Sequence, residues 1–233
     1  MSREYRLRKL LKNPHIWHPG DFSAAGRSNV PSGFAELDRQ LGGGWPVGTL
    51  TEILSDYPGI GELRLLLPAL IRLNGNAMSQ DNPLSSNALR VAAADTQSND
   101  RPDYLVWVAP PYIPYAPALM QHGLDISRVL VAHSTKQVDA LWAMEQALHS
   151  SACTAVLGWF TNVDDRSLRR LQLAAESAAC WAVIFRPVRF AASASPAPLR
   201  IHIKPAGKLD VNDLDLQILR NRYGPVGPLS LQC

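Results

Sequence analysis

Between residues 104 and 187 the chain alternates short, nearly all-apolar runs with longer amphipathic ones, and few folds accept that rhythm. The apolar runs are YLVWVA (104–109), RVLVAH (128–133), TAVLGWF (154–160) and WAVIFRP (181–187). The stretches between them, around 115–122, at 136–150 and at 165–179, read as helices with apolar residues on one face. A strand that is apolar throughout must be covered on both faces, and strands separated by helices return in the same direction. The pattern therefore predicts an α/β fold with a mainly parallel central sheet flanked by helices. Two further strand-like runs, PLRIHIKP and LDLQILRNRYG, follow the small-residue linker AASASPAP and are expected to add antiparallel edge strands near the C-terminus.

Ordinary globular usage, 46% hydrophobic and 18% charged over 233 residues, suits one such domain, placed at 30–223. A net charge of +3 requires no polyanionic partner by its size, but its distribution is uneven. Residues 1–29 read as a basic N-terminal helix and arm: Arg3, Arg6, Arg8, Lys9 and Lys12 are interleaved with Leu7, Leu10 and Leu11 at helical spacing. That helix is either a solvated face resting on the domain or a contact for DNA or a partner. No signal-peptide apolar region follows it, and no apolar run of about 18 residues exists to cross a membrane, so a cytoplasmic protein is expected. Cys153, Cys180 and Cys233 are odd in number and widely spaced, as reduced thiols would be. His15 and His18 lack companion ligands for a metal site. The polar, turn-prone stretch 74–103 reads as a mobile loop, and 224–233 as a tail.

Upstream of the regular alternation, LTEILSDYPGIGELRLLLPALIRL (50–73) has the layout of a phosphate-binding unit: strand, Gly-containing turn, apolar helix. In a G-x-x-x-x-G-K-[ST] loop the backbone N–H groups cradle phosphates, the lysine reaches the terminal phosphates and the hydroxyl ligates Mg²⁺. With Gly61 on the second glycine, Asp56 replaces the first glycine, Glu62 the lysine and Leu63 the hydroxyl, and Gly59 is left inside a degenerate loop. A lysine about 4 Å from a phosphate contributes roughly 4 kcal/mol at an effective dielectric of 20, and a glutamate there repels by a similar amount. No nucleotide, cofactor or metal is expected to bind, and no catalytic constellation is apparent. Pro68 is expected to kink or break the helix.

The order of VPSGFAELDRQLGGGWPVGTLTEIL, loop, helix and repeating βαβ units resembles the RecA family over roughly residues 30–205. Where that family carries its catalytic glutamate this chain has Ala109, Pro110 and Pro111, and where it carries the Walker B aspartate this chain has Gly158 or Trp159. The segments SDYPGIGELRLLLPAL, GGGWPVGTLTEIL and WVAPPYIPYAPAL further resemble the ImuA family of translesion-synthesis accessory proteins, a group linked to the SulA cell-division inhibitors. That resemblance implies a non-catalytic adaptor of the SOS DNA-damage response. Its implied partners are an ImuB-like inactive Y-family polymerase homologue, an error-prone replicative-type DNA polymerase, RecA and non-specific DNA. The SulA link implies an alternative, an inhibitor of cell division acting on FtsZ.

Trp107, Trp142, Trp159 and Trp181 fall in predicted strands or a helix and read as core, whereas Trp17 and Trp45 stand in loop contexts that suit partner anchors or, alternatively, side chains that pin their segments to the domain. Arg169 and Arg170 are expected on the solvent side of their helix, as a contact surface or simply a solvated face. Asp164 and Asp165 suit a helix N-terminus, and STK (134–136) a helix start. Tyr223, Val226, Leu229 and Leu231 are the candidate partner-docking residues of the tail, where Gly and Pro are expected to prevent a regular element; the alternative is a tail that packs back over the domain and covers an apolar patch.

Overall fold

The computed structural model describes residues 28–75, 104–206 and 213–232. The basic arm with Arg3, Arg6, Arg8, Lys9, Lys12 and Trp17, and nearly all of the expected mobile loop at 74–103, lie outside the described residues.

The elements follow in the order β1 (Asn29–Val30), α1 (Ala35–Leu41), β2 (Trp45–Pro46), β3 (Leu50–Ser55), α2 (Glu62–Leu73), β4 (Tyr104–Val108), α3 (Ala116–Gln121), β5 (Val129–Ala132), α4 (Gln137–His149), β6 (Cys153–Trp159), α5 (Asp165–Ala178), β7 (Trp181–Pro187), β8 (Leu199–Pro205), β9 (Asp213–Asn221) and β10 (Gly227–Gln232). Eight strands form one sheet in the order β10-β9-β8-β3-β7-β6-β4-β5, and β1 and β2 pair separately. All neighbours from β8 to β5 are parallel, while β9 and β10 are antiparallel additions. The mainly parallel sheet with flanking helices and an antiparallel C-terminal edge is as the apolar rhythm predicts. One detail differs: PLRIHIKP, expected to run antiparallel, joins β3 in parallel. The chain steps from β7 over β3 through residues 188–198, a connection long enough to reverse direction twice.

Strand alternation sorts the core into two layers. Ile53, Leu105, Trp107, Leu157 and Val183 meet α1 and α2 on one face, and Leu50, Val106, Val156, Ala182 and Ile184 meet α4 and α5 on the other. Trp45 is fully buried and lies 5.4 Å from Trp181, so it is a core residue and no partner anchor. Gly44 permits this. A Cβ there would come within 2.2 Å of the Val30 carbonyl oxygen, so a glycine lets β2 close onto β1 and drop Trp45 inward. Trp142, expected in the core, is 63% exposed.

Pro68 neither breaks nor shortens α2, which runs on to Leu73. Leu65, Leu66, Leu67, Ala69, Leu70 and Leu73 are all buried, and that packing offsets the hydrogen bond a proline removes. The expected irregular tail is likewise overturned: Gly227–Gln232 pairs with β9 along its whole length. Residues 222–226 turn the chain, aided by the Asn221 side chain, which accepts from the Tyr223 N–H at 2.9 Å and donates to the Pro225 carbonyl at 3.3 Å. Pro228 is tolerated because β10 is an edge strand.

Across the middle of the sheet, Glu52 of β3 is fully buried between two arginines. Arg186 Nη1 and Arg200 Nε donate to its two carboxylate oxygens at 2.5 Å each. Arg186 Nη2 donates to the Val163 carbonyl, and Arg200 Nη1 and Nη2 donate to the carbonyls of Ala191, Ser193 and Phe190, while Arg186 Nε is buried without a hydrogen-bond partner among the described residues. The ion triad thus ties the β7–β8 crossover to the sheet at the strand it crosses.

Candidate functional site

In a parallel α/β sheet the natural site is the edge formed by the carboxyl ends of the strands. The degenerate loop lies there, between β3 and α2, with Gly59 and Gly61 at φ +87° and +110°. Glu62, the first residue of α2, is 6% exposed and turns back into the loop. Its Oε1 and Oε2 accept the Gly59 N–H at 2.9 and 3.1 Å. A carboxylate of the chain itself thereby takes a donor that a phosphate loop would offer to an external anion. Leu63 packs against the core and Asp56 is exposed.

The two acid stations are closed by packing as well as by residue type. Ala109 takes φ 51° and donates its N–H to the Ala132 carbonyl at 2.8 Å, which turns the chain away immediately after β4. A Cβ at Gly158 would come within 2.4 Å of the Phe160 ring and 2.8 Å of the Met144 sulfur, so an aspartate there would require those side chains to shift. Trp159 stacks on Phe185 with ring centres 4.6 Å apart.

What this edge offers instead is apolar surface. Tyr57, Tyr112, Ile113, Tyr115 and Met120 are 59, 66, 85, 72 and 56% exposed. Segment 109–121 contains no charged residue and holds prolines at 110, 111, 114 and 117. Prolines fix φ, so these side chains are displayed on a stiffened backbone and lose less entropy when covered. The loops after β3 and β4 touch: a Cβ on Gly59 would lie 3.4 Å from the Tyr112 ring. Sequence reading passed over Tyr112, Ile113 and Tyr115. The available signal was large apolar residues alternating with proline where a loop is normally polar.

The residues singled out from the sequence are dispersed. Arg169 and Arg170 are exposed on α5, and Arg170 pairs with Glu145 of α4 at 3.5 Å. Asp164 caps α5, and hydrogen bonds from the Ser167 hydroxyl and N–H hold its carboxyl below the usual aspartate range. Of the tail residues, Val226 is 61% exposed, Tyr223 and Leu229 are half-buried and Leu231 is buried. These four do not form a free apolar segment. Among the described residues no cluster of three or more His, Cys, Asp or Glu could hold a metal, and no helix is long and apolar enough to cross a membrane.

Residues 77–181 match the family described as cell division inhibitor SulA. The chain is 30% identical to cell division inhibitor SulA of Photorhabdus laumondii over 91 residues, which is 39% of this chain and 51% of that protein. It is also 30% identical to that of Serratia proteamaculans over 86 residues, 37% of this chain and 51% of that one. With cell division inhibitor SulA of Yersinia pestis (strain Pestoides F) it is 27% identical over 126 residues, 53% of this chain and 74% of that protein. The chain thus spans about half the length of the first two of these curated relatives. Among the described elements the family match takes in β4 to β6 and α3 to α5, including the Tyr–Pro segment, and leaves out β3, the degenerate loop, α2 and β8 to β10.

Proposed function

Because residues 77–181 match the family described as cell division inhibitor SulA, we propose that this chain is a non-catalytic, cytoplasmic inhibitor of cell division in the SOS response, acting by binding a protein partner. The proposed partner is the cytoskeletal GTPase FtsZ, bound where its subunits polymerise. The observation that carries this reading is the exchange at the carboxyl edge: Glu62 occupies the donor of the phosphate loop, and the adjoining edge displays Tyr112, Ile113 and Tyr115 within the matched segment. Exposed aromatic residues on a stiff backbone are the usual anchors of protein interfaces. Overproduction in a rod-shaped bacterium should give filamentous cells, and the purified chain should lower the amount of sedimentable FtsZ polymer. The double variant Tyr112→Ala, Ile113→Asp should lose both effects while retaining its melting temperature. Normal division together with unchanged polymer would overturn the reading.

A second reading, favoured by the RecA-like lead-in that lies outside the matched segment, is the adaptor of error-prone translesion synthesis typical of ImuA proteins. Its partners would be an ImuB-like inactive Y-family homologue, an error-prone replicative-type polymerase and RecA, with non-specific DNA held by the basic arm. Co-purification from DNA-damaged cells separates the two: FtsZ supports inhibition, and a polymerase subunit supports the adaptor.

A further inference from the structure

A second exposed surface lies on the helical layer, away from the degenerate loop in sequence and different in chemistry. On α4, Val138, Trp142 and Glu145 follow at i, i+4 and i+7 and share one side of the helix. Glu145 identifies that side as the one facing α5, since its carboxylate pairs with Arg170 at 3.5 Å. On α5 the same spacing puts Arg166, Arg170 and Leu173 in one row, with Arg169 beside it. Val138, Trp142 and Leu173 are 76, 63 and 58% exposed, although each is a large apolar residue. Arg166 and Arg169 are exposed, and neither has a hydrogen-bond or ion-pair partner among the described residues. Surface helices ordinarily present polar residues on this side; here a tryptophan, a valine and a leucine are interleaved with three arginines and a single paired glutamate.

We propose that the α4–α5 face is a docking surface for an acidic amphipathic segment of a partner protein. Trp142 is its anchor, Val138 and Leu173 extend the apolar contact, and Arg166 and Arg169 meet the segment's carboxylates. Charge complementarity selects the occupant. Two unpaired guanidinium groups beside apolar surface match carboxylates interleaved with apolar side chains, and arginine pairs with carboxylates in bidentate fashion. A nucleic acid fits less well, because its phosphate chain carries no aliphatic side chains to cover Val138, Trp142 and Leu173. Tryptophan and arginine together are the residues most enriched among those that dominate interface energies.

The test is fluorescence anisotropy on the full chain with three labelled probes. One is a synthetic helical peptide with Leu and Phe at i, i+4 and i+7 and Asp and Glu elsewhere. Another has the same charge, with Ser and Gln in place of the apolar residues. The last is a single-stranded oligonucleotide. The apolar acidic peptide should bind at least roughly tenfold more tightly than its charge-matched control, and Trp142→Ala should weaken it by at least about tenfold, the loss of one interface anchor. The double reversal Arg166→Glu, Arg169→Glu should abolish binding of the acidic peptide and confer binding of its Lys-substituted counterpart. All three positions are exposed, and a melting curve for each variant checks that the fold is retained. Tighter binding of the oligonucleotide would make the face a nucleic-acid surface. Equal binding of both acidic peptides, insensitivity to Trp142→Ala, or no binding of any peptide would overturn the proposal.

Discussion

A single side chain, Glu62, joins the failure of the phosphate loop to the stability of the fold. At the start of α2 a negative group is favoured by the unpaired N–H groups of the helix end, and both carboxylate oxygens bond Gly59. The replacement for the expected lysine therefore does more than repel a phosphate: it closes the loop internally. Hydrogen bonds to a charged group are worth about 1.5–3 kcal/mol, and a domain of this size loses roughly 2–4 °C per kcal/mol. Glu62→Ala should accordingly lower the melting temperature by roughly 3–12 °C by scanning calorimetry. Mg·ATP should not raise the melting temperature of the unaltered chain, and restoring the loop with Glu62→Lys and Leu63→Thr should restore little hydrolysis, because Ala109–Pro111 and Gly158–Trp159 still supply no carboxylate. Micromolar Mg·ATP binding by titration calorimetry would contradict this account.

Among the elements, β10 departs most from the sequence reading. Gly, Pro, Val and Gly at 224–227 read as an irregular tail, yet Leu229 and Leu231 alternate with Ser230 and Gln232 at the period of a half-buried strand. The signal was present, but a short alternation next to two Gly-Pro steps is ambiguous until a neighbouring strand supplies the ladder. Ser230 Oγ bonds Asp215 at 2.6 Å, a contact between strands that no local window contains. A free docking tail could be deleted without loss of stability, whereas a strand cannot. Removal of residues 224–233 should therefore lower the cooperative melt by several degrees, since burying a leucine such as Leu231 alone contributes roughly 1.5–3 kcal/mol. It should also promote aggregation by uncovering the β9 edge. An unchanged melt in urea or heat would return these residues to the status of a tail.

For the molecule as a whole, core density sets a pH limit. Burial pushes the Cys180 thiol far above the ordinary thiol range, with the nearby Cys153 adding to the effect, and burial raises Cys153 as well. In the unfolded chain a thiol ionises near about 8.5. Above that pH the unfolded state binds fewer protons than the native state, so stability is fully present below about 8.5 and falls as pH rises. For Cys180 the slope is about 1.4 kcal/mol per pH unit above that point. Urea titrations at pH 7.5 and 9.5 should show the unaltered chain losing about 1.4 kcal/mol more than Cys180→Ala. Equal losses in the two proteins would mean that the thiol ionises while folded.

Local pattern determined the β–α alternation, the bounds of β7 at 181–187 and the absence of the residue types that phosphate chemistry needs. Each of these is a property of a short window: period two or 3.6, and the identity of a side chain at a fixed offset in a loop. Tertiary structure alone decided that Trp45 enters the core while Trp142 stays outside, because one depends on the close approach at Gly44 and the other on what packs beside α4. It also decided that Glu52 is held by Arg186 and Arg200, which stand 134 and 148 residues further along the chain. Whether a charge, a tryptophan or an edge strand is buried depends on what distant segments place against it, and periodicity carries no information about that.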